Sequence, residues 1–593
     1  MKKVYLYIAL FAALSTACNK SEMDPVQSGD EPKVEVKMIT ETVTGGKGAA
    51  SKATISNTDA SFKWTAEDNI AVHVSNGDSH KYVFTSDEGA SGASTAASSA
   101  SFTVVYPEGY SRDAFALFPS TIVSENAANY GQSGTALDVT LPSSYTLAQV
   151  SGETSPCPMI ATNNAGSGWN FYQLCGLLRL TVSNIPPTAK RLEIDFDGKK
   201  VCGDFSIAST VTPNSSEITT SADASHDIIT ITKDGTDVTL NDNAWLNNLV
   251  VNIPLPTGTY SGIIISVFDA VTGGNAIFTM PCSFGYTASH LKAKKLTVSF
   301  PVFSVSATKK VTFAPGNLQY LGNANGTGTW RFAEHQYDFM GDGPTSGTNY
   351  QGNVTVAGYS KYNNSADMDV ARDLFGWGTS GYSDKSPNMT STNSNSYFSG
   401  SMVDEGANYD WGVYHSASGS STDKITNGGN YSWRLWTSEE MSYAIDRNNK
   451  VYTRNDYMET KKLYCFATLR GVTTNDIKGL VIFPDRWTGD PIRNIKYEKP
   501  SGGSYESNVF NADQWAILEK MGCVFLPAAH VRDGNTFNSS YLNEGHYWTS
   551  TTVYSVGEYR GGCLEFWSGS LLSSTTNDRL RKLGQSVRLI REL

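Results

Sequence analysis

Between Val34 and about Phe300, apolar residues recur at every second position, and no stretch holds an apolar 3.6-residue period over a dozen residues. Successive side chains of a strand point to opposite faces, whereas a helix needs a stripe at three- and four-residue spacing. Leu178-Arg179-Leu180-Thr181-Val182 and Arg191-Leu192-Glu193-Ile194-Asp195-Phe196 alternate most clearly. One face of each strand is then apolar and the other wet, the pattern of antiparallel sheets packed as a sandwich. Asp197-Gly198 and Asp234-Gly235 carry a hairpin signal, because both central positions of the favoured two-residue turn take positive φ. Ile229 and Ile231 before Asp234-Gly235, with Val238 and Leu240 after it, predict a hairpin there. This stretch is too long for one sandwich core. The Thr/Asn/Gly/Ser run 161–168 is therefore expected to divide two sandwiches, 34–162 and 163–302.

Beyond Pro301 the chain changes character. Nine of the twelve tryptophans lie there, polar loops lengthen, and two helix starts stand out. Thr437-Ser438-Glu439-Glu440 has capping-box spacing ahead of Met441, Ala444 and Ile445. Asn511-Ala512-Asp513-Gln514 repeats the logic ahead of Trp515, Leu518 and Met521, with Gly522 as a stop. Two helices among short strands make 303–593 an α+β unit in a chain that is mainly β.

Composition removes several function classes. The net charge is −11 and no Lys/Arg stripe is present, so nucleic acid is not an expected partner. The eight cysteines include no CxxC and no zinc spacing. They read as small buried hydrophobes, with a disulfide among Cys157, Cys175, Cys202 and Cys282 left open. The eight histidines are scattered, and no G-x-S-x-G, H-E-x-x-H or P-loop occurs. No catalytic residue, metal ligand or cofactor is expected, and the chain is read as no enzyme.

At the N-terminus, Lys2 and Lys3 precede the apolar run 4–14 and then Ser15-Thr16-Ala17-Cys18. The run falls short of the roughly 20 residues a spanning helix needs and fits a cleaved signal peptide. Cys18 after the cut resembles the lipobox of bacterial lipoproteins, although Ser15 stands where leucine is usual. The resemblance implies removal of 1–17, acylation of Cys18 and anchoring in outer-membrane lipid at the cell surface. Residues 18–33 read as a solvated tether.

Two further resemblances cover the rest. Ser51-Lys52-Ala53-Thr54 and Phe62-Lys63-Trp64-Thr65-Ala66-Glu67-Asp68-Asn69-Ile70-Ala71-Val72, with Ala116-Leu117-Phe118-Pro119, Pro158-Met159-Ile160-Ala161 and Gly258-Thr259-Tyr260, resemble Bacteroidota fimbrillin-like proteins over 34–302. Glu67 replaces that family's usual glycine. The family implies two stacked sandwiches. In it a protease removes the first strand after a basic residue, and the groove accepts a strand from another pilin subunit. Lys47 and Lys52 are the candidate cut sites, although family processing is usually at arginine and the first arginine here is Arg112.

Lys310-Val311-Thr312-Phe313-Ala314-Pro315-Gly316-Asn317-Leu318, Phe375-Gly376-Trp377-Gly378, Trp433-Arg434-Leu435-Trp436-Thr437, Tyr547-Trp548-Thr549-Ser550 and Gly584-Gln585-Ser586-Val587-Arg588 resemble the major paralogous domain first noted in Fibrobacter. That domain is related to C-type-lectin-like folds. The resemblance implies a glycan or protein ligand, with Trp377, Tyr382, Trp411, Trp436, Trp487 and Trp548 as the pool of stacking aromatics. The calcium-lectin tripeptides are missing, and Asp367, Asp369 and Asp373 do not match an EF-hand loop. Arg532-Asp533-Gly534 reads as a turn, and Cys563 lacks the close base of a reactive thiol. The expectation is an adhesin at the tip of a type V-like pilus. The alternative is a non-polymerising glycan-binding lipoprotein serving nutrient capture.

Overall fold

The computed structural model describes residues 38 to 593 apart from 46–53, 56–61, 76–80, 87–99, 124–135, 209–217, 344–351, 390–396, 446–450, 497–502, 538–542 and several shorter breaks. Cys18, Lys47 and Lys52 lie outside the described residues. The chain is mainly β, with 44% strand and 9% helix spread over several sheets. No described helix is long and apolar enough to cross a membrane.

The first segment carries β1 (Met38–Gly45), β2 (Ala71–Ser75), β3 (Lys81–Thr85), β4 (Ala100–Pro107), β5 (Ser111–Phe118), β6 (Ala136–Leu141), β7 (Ser144–Thr146), β8 (Met159–Asn164) and β9 (Gly168–Gln173). Seven of these form one sheet in the order β3-β2-β5-β8-β9-β1-β4. Alternation works as expected in β4, where Ala100, Phe102, Val104 and Tyr106 are buried and the residues between them are not. Trp64 sits in that core, edge-on to Phe102, Phe118 and Phe171 at 5.0–5.2 Å. Such edge-to-face packing adds to the area each ring buries.

The second segment adds β10 (Gly176–Ser183), β11 (Arg191–Asp195), β12 (Gly203–Ala208), β13 (Ile228–Thr232), β14 (Leu249–Leu255), β15 (Gly258–Phe268), β16 (Ala276–Ala288) and β17 (Ala293–Ser299). Its sheets run β14-β10-β17 and β16-β15-β11-β13-β7. The division between the sandwiches falls later than 162/163. β8 and β9 pair antiparallel across that point, and the core changes between Leu177 and Leu178. Much of the Thr/Asn/Gly run is itself paired strand, 161–164 in β8 and Gly168 in β9; polar residues inside a ladder read like a linker. The two halves also interleave. β12 pairs with β6 and lends Phe205 and Ile207 to the first core, while β7 joins the second sheet and Tyr145 the second core.

The hairpin expected at Asp234-Gly235 forms only its turn, where the Gly235 N–H donates to Thr232 Oγ1 at 3.0 Å. No return strand follows, because β13 already has β11 on one edge and β7 on the other. Leu240 is buried without a ladder, and Val238 is exposed.

Residues 303–593 have cores of their own. In chain order they supply β18 (Phe303–Ser304), β19 (Lys310–Phe313), α1 (Trp411–His415), α2 (Ser438–Ile445), β20 (Tyr464–Arg470), β21 (Ile477–Ile482), β22 (Val509–Asn511), α3 (Ala512–Lys520), β23 (Val524–Pro527), β24 (Gly545–Ser555), β25 (Glu558–Trp567), β26 (Asp578–Arg579), β27 (Leu583–Ser586) and β28 (Ile590–Glu592). The sheet β22-β20-β21-β23 and the long β24–β25 hairpin dominate. Both helix starts match the sequence reading. Thr437 Oγ1 accepts the Glu440 N–H at 3.1 Å, and the Glu440 carboxylate accepts the Thr437 N–H at 2.9 Å. Asn511 and Gln514 do the same at 2.9 and 3.0 Å. Gly522 ends α3 at φ +84°. Within this unit β28 pairs antiparallel to β19.

Candidate ligand-binding surface

Five of the six aromatics drawn from the sequence lie inside cores. Trp377 and Trp548 meet edge-on at 5.4 Å, and Trp548 Nε1 donates to the Phe375 carbonyl at 2.7 Å. Trp411 Nε1 donates to the Thr379 carbonyl at 3.0 Å. Trp436 packs edge-on to Phe313, and Trp487 tilts against Phe483 at 4.9 Å. All five are buried, so none offers a ring face to a ligand. An apolar ring of this size contributes most when removed from water, and the many polar loops of this unit need such anchors.

Tyr382 alone of the six is exposed, at 37%. It caps a ladder of rings. Phe398 stacks on Tyr409 at 3.8 Å, and Tyr382 meets Tyr409 and Tyr414 edge-on at 5.1 and 5.5 Å. The turn that presents it is unusual, with Gly381, Ser383 and Asp384 all at positive φ (93°, 48° and 64°). For a non-glycine residue that conformation is strained and persists only where the surroundings hold it. They do so here. Ser380 Oγ donates to the Asn408 carbonyl at 2.7 Å, and the Ser380 carbonyl lies 2.6 Å from His415 Nε2. His415 Nδ1 lies 2.6 Å from the Asp423 carbonyl, and burial lowers the imidazole pKa. Asp410 fixes the start of α1 by accepting from Gly412 and Val413. It also accepts the Leu435 N–H at 2.7 Å.

A second exposed group was missed by sequence reading: Tyr554, Val556 and Tyr559 around the β24–β25 turn. The available signal was valine before Gly557 at a hairpin turn, a place that favours asparagine.

Other singled-out residues have structural roles. Asp367 and Asp369 pair with Lys361 at 3.1 and 2.9 Å, while Asp373 is buried and accepts from the Met340 N–H and Asn363 Nδ2. Among the described residues, no three His, Cys, Asp or Glu side chains gather as metal ligands. Arg532 of the Arg-Asp-Gly run is fully buried and donates to the carbonyls of Leu374, Met389 and Gly534. Cys563 is buried, its thiol donates to Glu565 Oε1 at 3.2 Å, and burial holds its pKa far above the ordinary thiol value. The seven cysteines from Cys157 to Cys563 are all unbridged.

In the first sandwich, β1 lies between β9 and β4. It pairs with β4 over eight residues, from Met38↔Pro107 to Gly45↔Ala100, whereas its ladder with β9 among the described residues is the single pair Gly45↔Trp169. β4 keeps a separate bridge, Ser86↔Val104.

No family model matches the chain, and no curated protein matches it. Among solved structures, a candidate cell adhesion protein from Bacteroides ovatus ATCC 8483 aligns at 11% identity over 44% of this chain and 93% of its own, with a TM-score of 0.26. A fimbrial assembly protein from Parabacteroides distasonis ATCC 8503 aligns at 11% identity over 46% and 94%, TM-score 0.23. The tip fimbrial protein Mfa3 from Porphyromonas gingivalis, truncated at its C-terminus, aligns at 11% identity over 41% and 81%, TM-score 0.18. The chain is similar in part to these fimbrial and adhesion structures.

Proposed function

We propose that this chain is a cell-surface adhesin that caps a fibre assembled by strand exchange. In this reading Cys18 carries the lipid anchor, and 303–593, as a lectin-like module, carries the glycan- or protein-binding face. The observation that supports it most is the seat of β1. A strand laddered to β4 over eight residues, and laddered to its other neighbour among the described residues at Gly45↔Trp169, is held mainly by β4. Its removal leaves β4 with a bare ladder and apolar residues on its inner face, a template for an incoming strand. The chain that follows β1 contains Lys47 and Lys52. At the other end, β28 is already paired to β19 inside the third unit. In this reading the subunit accepts a strand while β28 stays in its own fold, the arrangement of a fibre end.

Limited digestion with a lysine-specific protease tests the reading. The expected product begins at Gly48 or Ala53, stays folded, and binds a fluorescent peptide of residues 38–45, while the uncut chain does not bind it. A clipped chain that keeps its own fragment, unfolds, or ignores the peptide refutes strand acceptance. Glycan-array binding by the full chain, with and without a chelator, reads the ligand face separately.

A further inference from the structure

The β24–β25 turn puts an apolar side chain where the backbone disfavours one. Val556 has φ +52° and Gly557 φ +80°, the two central positions of a two-residue hairpin turn that Asn-Gly fills best. A β-branched residue in that region is a conformational outlier. Packing does not account for it, because Val556 is 83% exposed. Tyr554 and Tyr559, directly opposite each other across the hairpin, are 65% and 58% exposed, with rings 5.0 Å apart at 63°. These are the three most exposed large hydrophobic residues among those described.

The arm beneath the tip is braced. Thr552 Oγ1 donates to the Gly400 carbonyl and accepts from Arg581, whose guanidinium also reaches the Phe398 carbonyl. Arg560 is held between Glu558 at 3.0 Å and Asp578 at 3.4 Å. The charges next to the tip therefore close on one another, and the end of the hairpin presents an isopropyl group and two phenol rings.

We propose that Tyr554, Val556 and Tyr559 form a membrane-docking tip that seats Val556 among acyl chains and the two tyrosines at headgroup level of a lipid bilayer. Three observations choose a bilayer over other occupants. The tip leaves these side chains largely exposed, whereas a glycan is held against ring faces with hydroxyl partners beside them. A stable protein partner needs about 1,000 Å² of buried area with a matching rim, more than three side chains on a two-residue turn supply. A bilayer requires no matching shape, and tyrosine suits its interface, with an apolar body and a polar end. The paired charges make the attraction independent of anionic lipid. A single tip binds weakly, and many anchored chains on one cell multiply it. The proposal names a partner class for the adhesin reading and rests on that reading for its place outside the cell.

Sedimentation with uncharged phosphatidylcholine vesicles tests it, using residues 19–593, which keep every described residue and omit the acylation site. Binding is expected to persist unchanged from about 50 to about 500 mM NaCl, because screening weakens only charge attraction. V556N should lower partitioning about fifteenfold, the loss of two buried aliphatic carbons. Its melting temperature should hold or rise, since asparagine suits the turn. Val556→Trp should bind more tightly than wild type. No vesicle binding by wild type, or equal binding by V556N, overturns the proposal. So does a V556N variant that keeps vesicle binding but loses cell adhesion, which would assign the tip to a protein or glycan. If the vesicle results hold while the strand-peptide experiment fails, the tip stands and the fibre reading falls.

Discussion

Replacing Ile590 by alanine asks whether the C-terminal strand belongs to the fold around it. Ile590 is fully buried in a core with Phe303, Phe313 and Trp436. Its N–H donates to the Arg434 carbonyl at 2.8 Å, and its carbonyl accepts the Arg434 N–H at 3.0 Å. The truncation removes three carbons, worth about 2.4 kcal/mol at about 0.8 kcal/mol per buried group. Rings on several sides keep the hole from closing, which adds about 1 kcal/mol. The expected loss is therefore about 3–4 kcal/mol. Urea unfolding followed by tryptophan fluorescence reads it, since nine of the twelve tryptophans lie beyond residue 302. With a slope of about 2 kcal/mol per molar, the midpoint should fall by about 1.5–2 M. A tail poised to leave as a donor strand would contribute little to the unit it leaves. A shift below about 0.5 M would show that the strand is dispensable, and the acceptor-only argument would fail with it.

Three other outcomes follow from single sites. Burial pushes the carboxyls of Asp410 and Asp373 up to about 6. An acid raised above its unfolded value stabilises the fold fully below about pH 3.9, and the contribution is lost as pH climbs through 6, about 3 kcal/mol for each group. Urea midpoints between pH 4 and 7 should fall with pH, and Asp410→Asn should halve that fall; an unchanged slope contradicts it. A Cβ on Gly561 would stand 2.4 Å from Trp377 and 2.8 Å from Trp548, so Gly561→Ala should cost about 1–3 kcal/mol by calorimetry. Cys157, Cys282 and Cys563 all have thiol pKa values raised by burial. Native protein at pH 7.5 should therefore react slowly with a thiol reagent, and the seven unbridged cysteines should titrate only after unfolding. Rapid labelling of Cys563 would reopen the question of a reactive site.

What the sequence made legible is what depends on local physics. Alternation in β4, the reciprocal caps of α2 and α3, and the stop at Gly522 each involve a few neighbouring residues whose chemistry has one low-energy answer. The misreadings come where distant chain decides. Asp234-Gly235 turns as it should, but the return strand has nowhere to pair because β7, from far upstream, holds the edge of β13. The Thr/Asn/Gly run at 161–168 looks like a linker because its composition is polar, yet 161–164 and Gly168 are paired strand. The stacking pool failed for a related reason. Tryptophan serves a core and a ligand face equally well, and only the fold showed that Trp377 and Trp548 face each other rather than solvent. The exposed tip was harder still, since Val556 looks like any strand residue until its φ is known.

The C-terminus does more than close a sheet. β18 begins the third unit and β28 ends it, and both flank β19, so entry and exit lie side by side. From that place the unit reaches back to the second sandwich. Leu593 packs against its core, Arg591 donates to the Ile277 carbonyl at 2.9 Å, and Tyr431 donates to the Ala276 carbonyl at 2.9 Å. Lys310 reaches Asn184 Oδ1 at 3.1 Å and lies 4.5 Å over the Trp245 ring. Arg591 also sits 3.6 Å over Tyr431, so two of these donors support each other. Contacts made at two separate places, around 184 and around 276, resist twisting as well as pulling. A tail spent on a neighbouring subunit would therefore open the β19 edge, empty the Ile590 site and loosen the contacts between the third unit and the second sandwich. Those three losses oppose donation together, whereas β1 can leave without disturbing any of them.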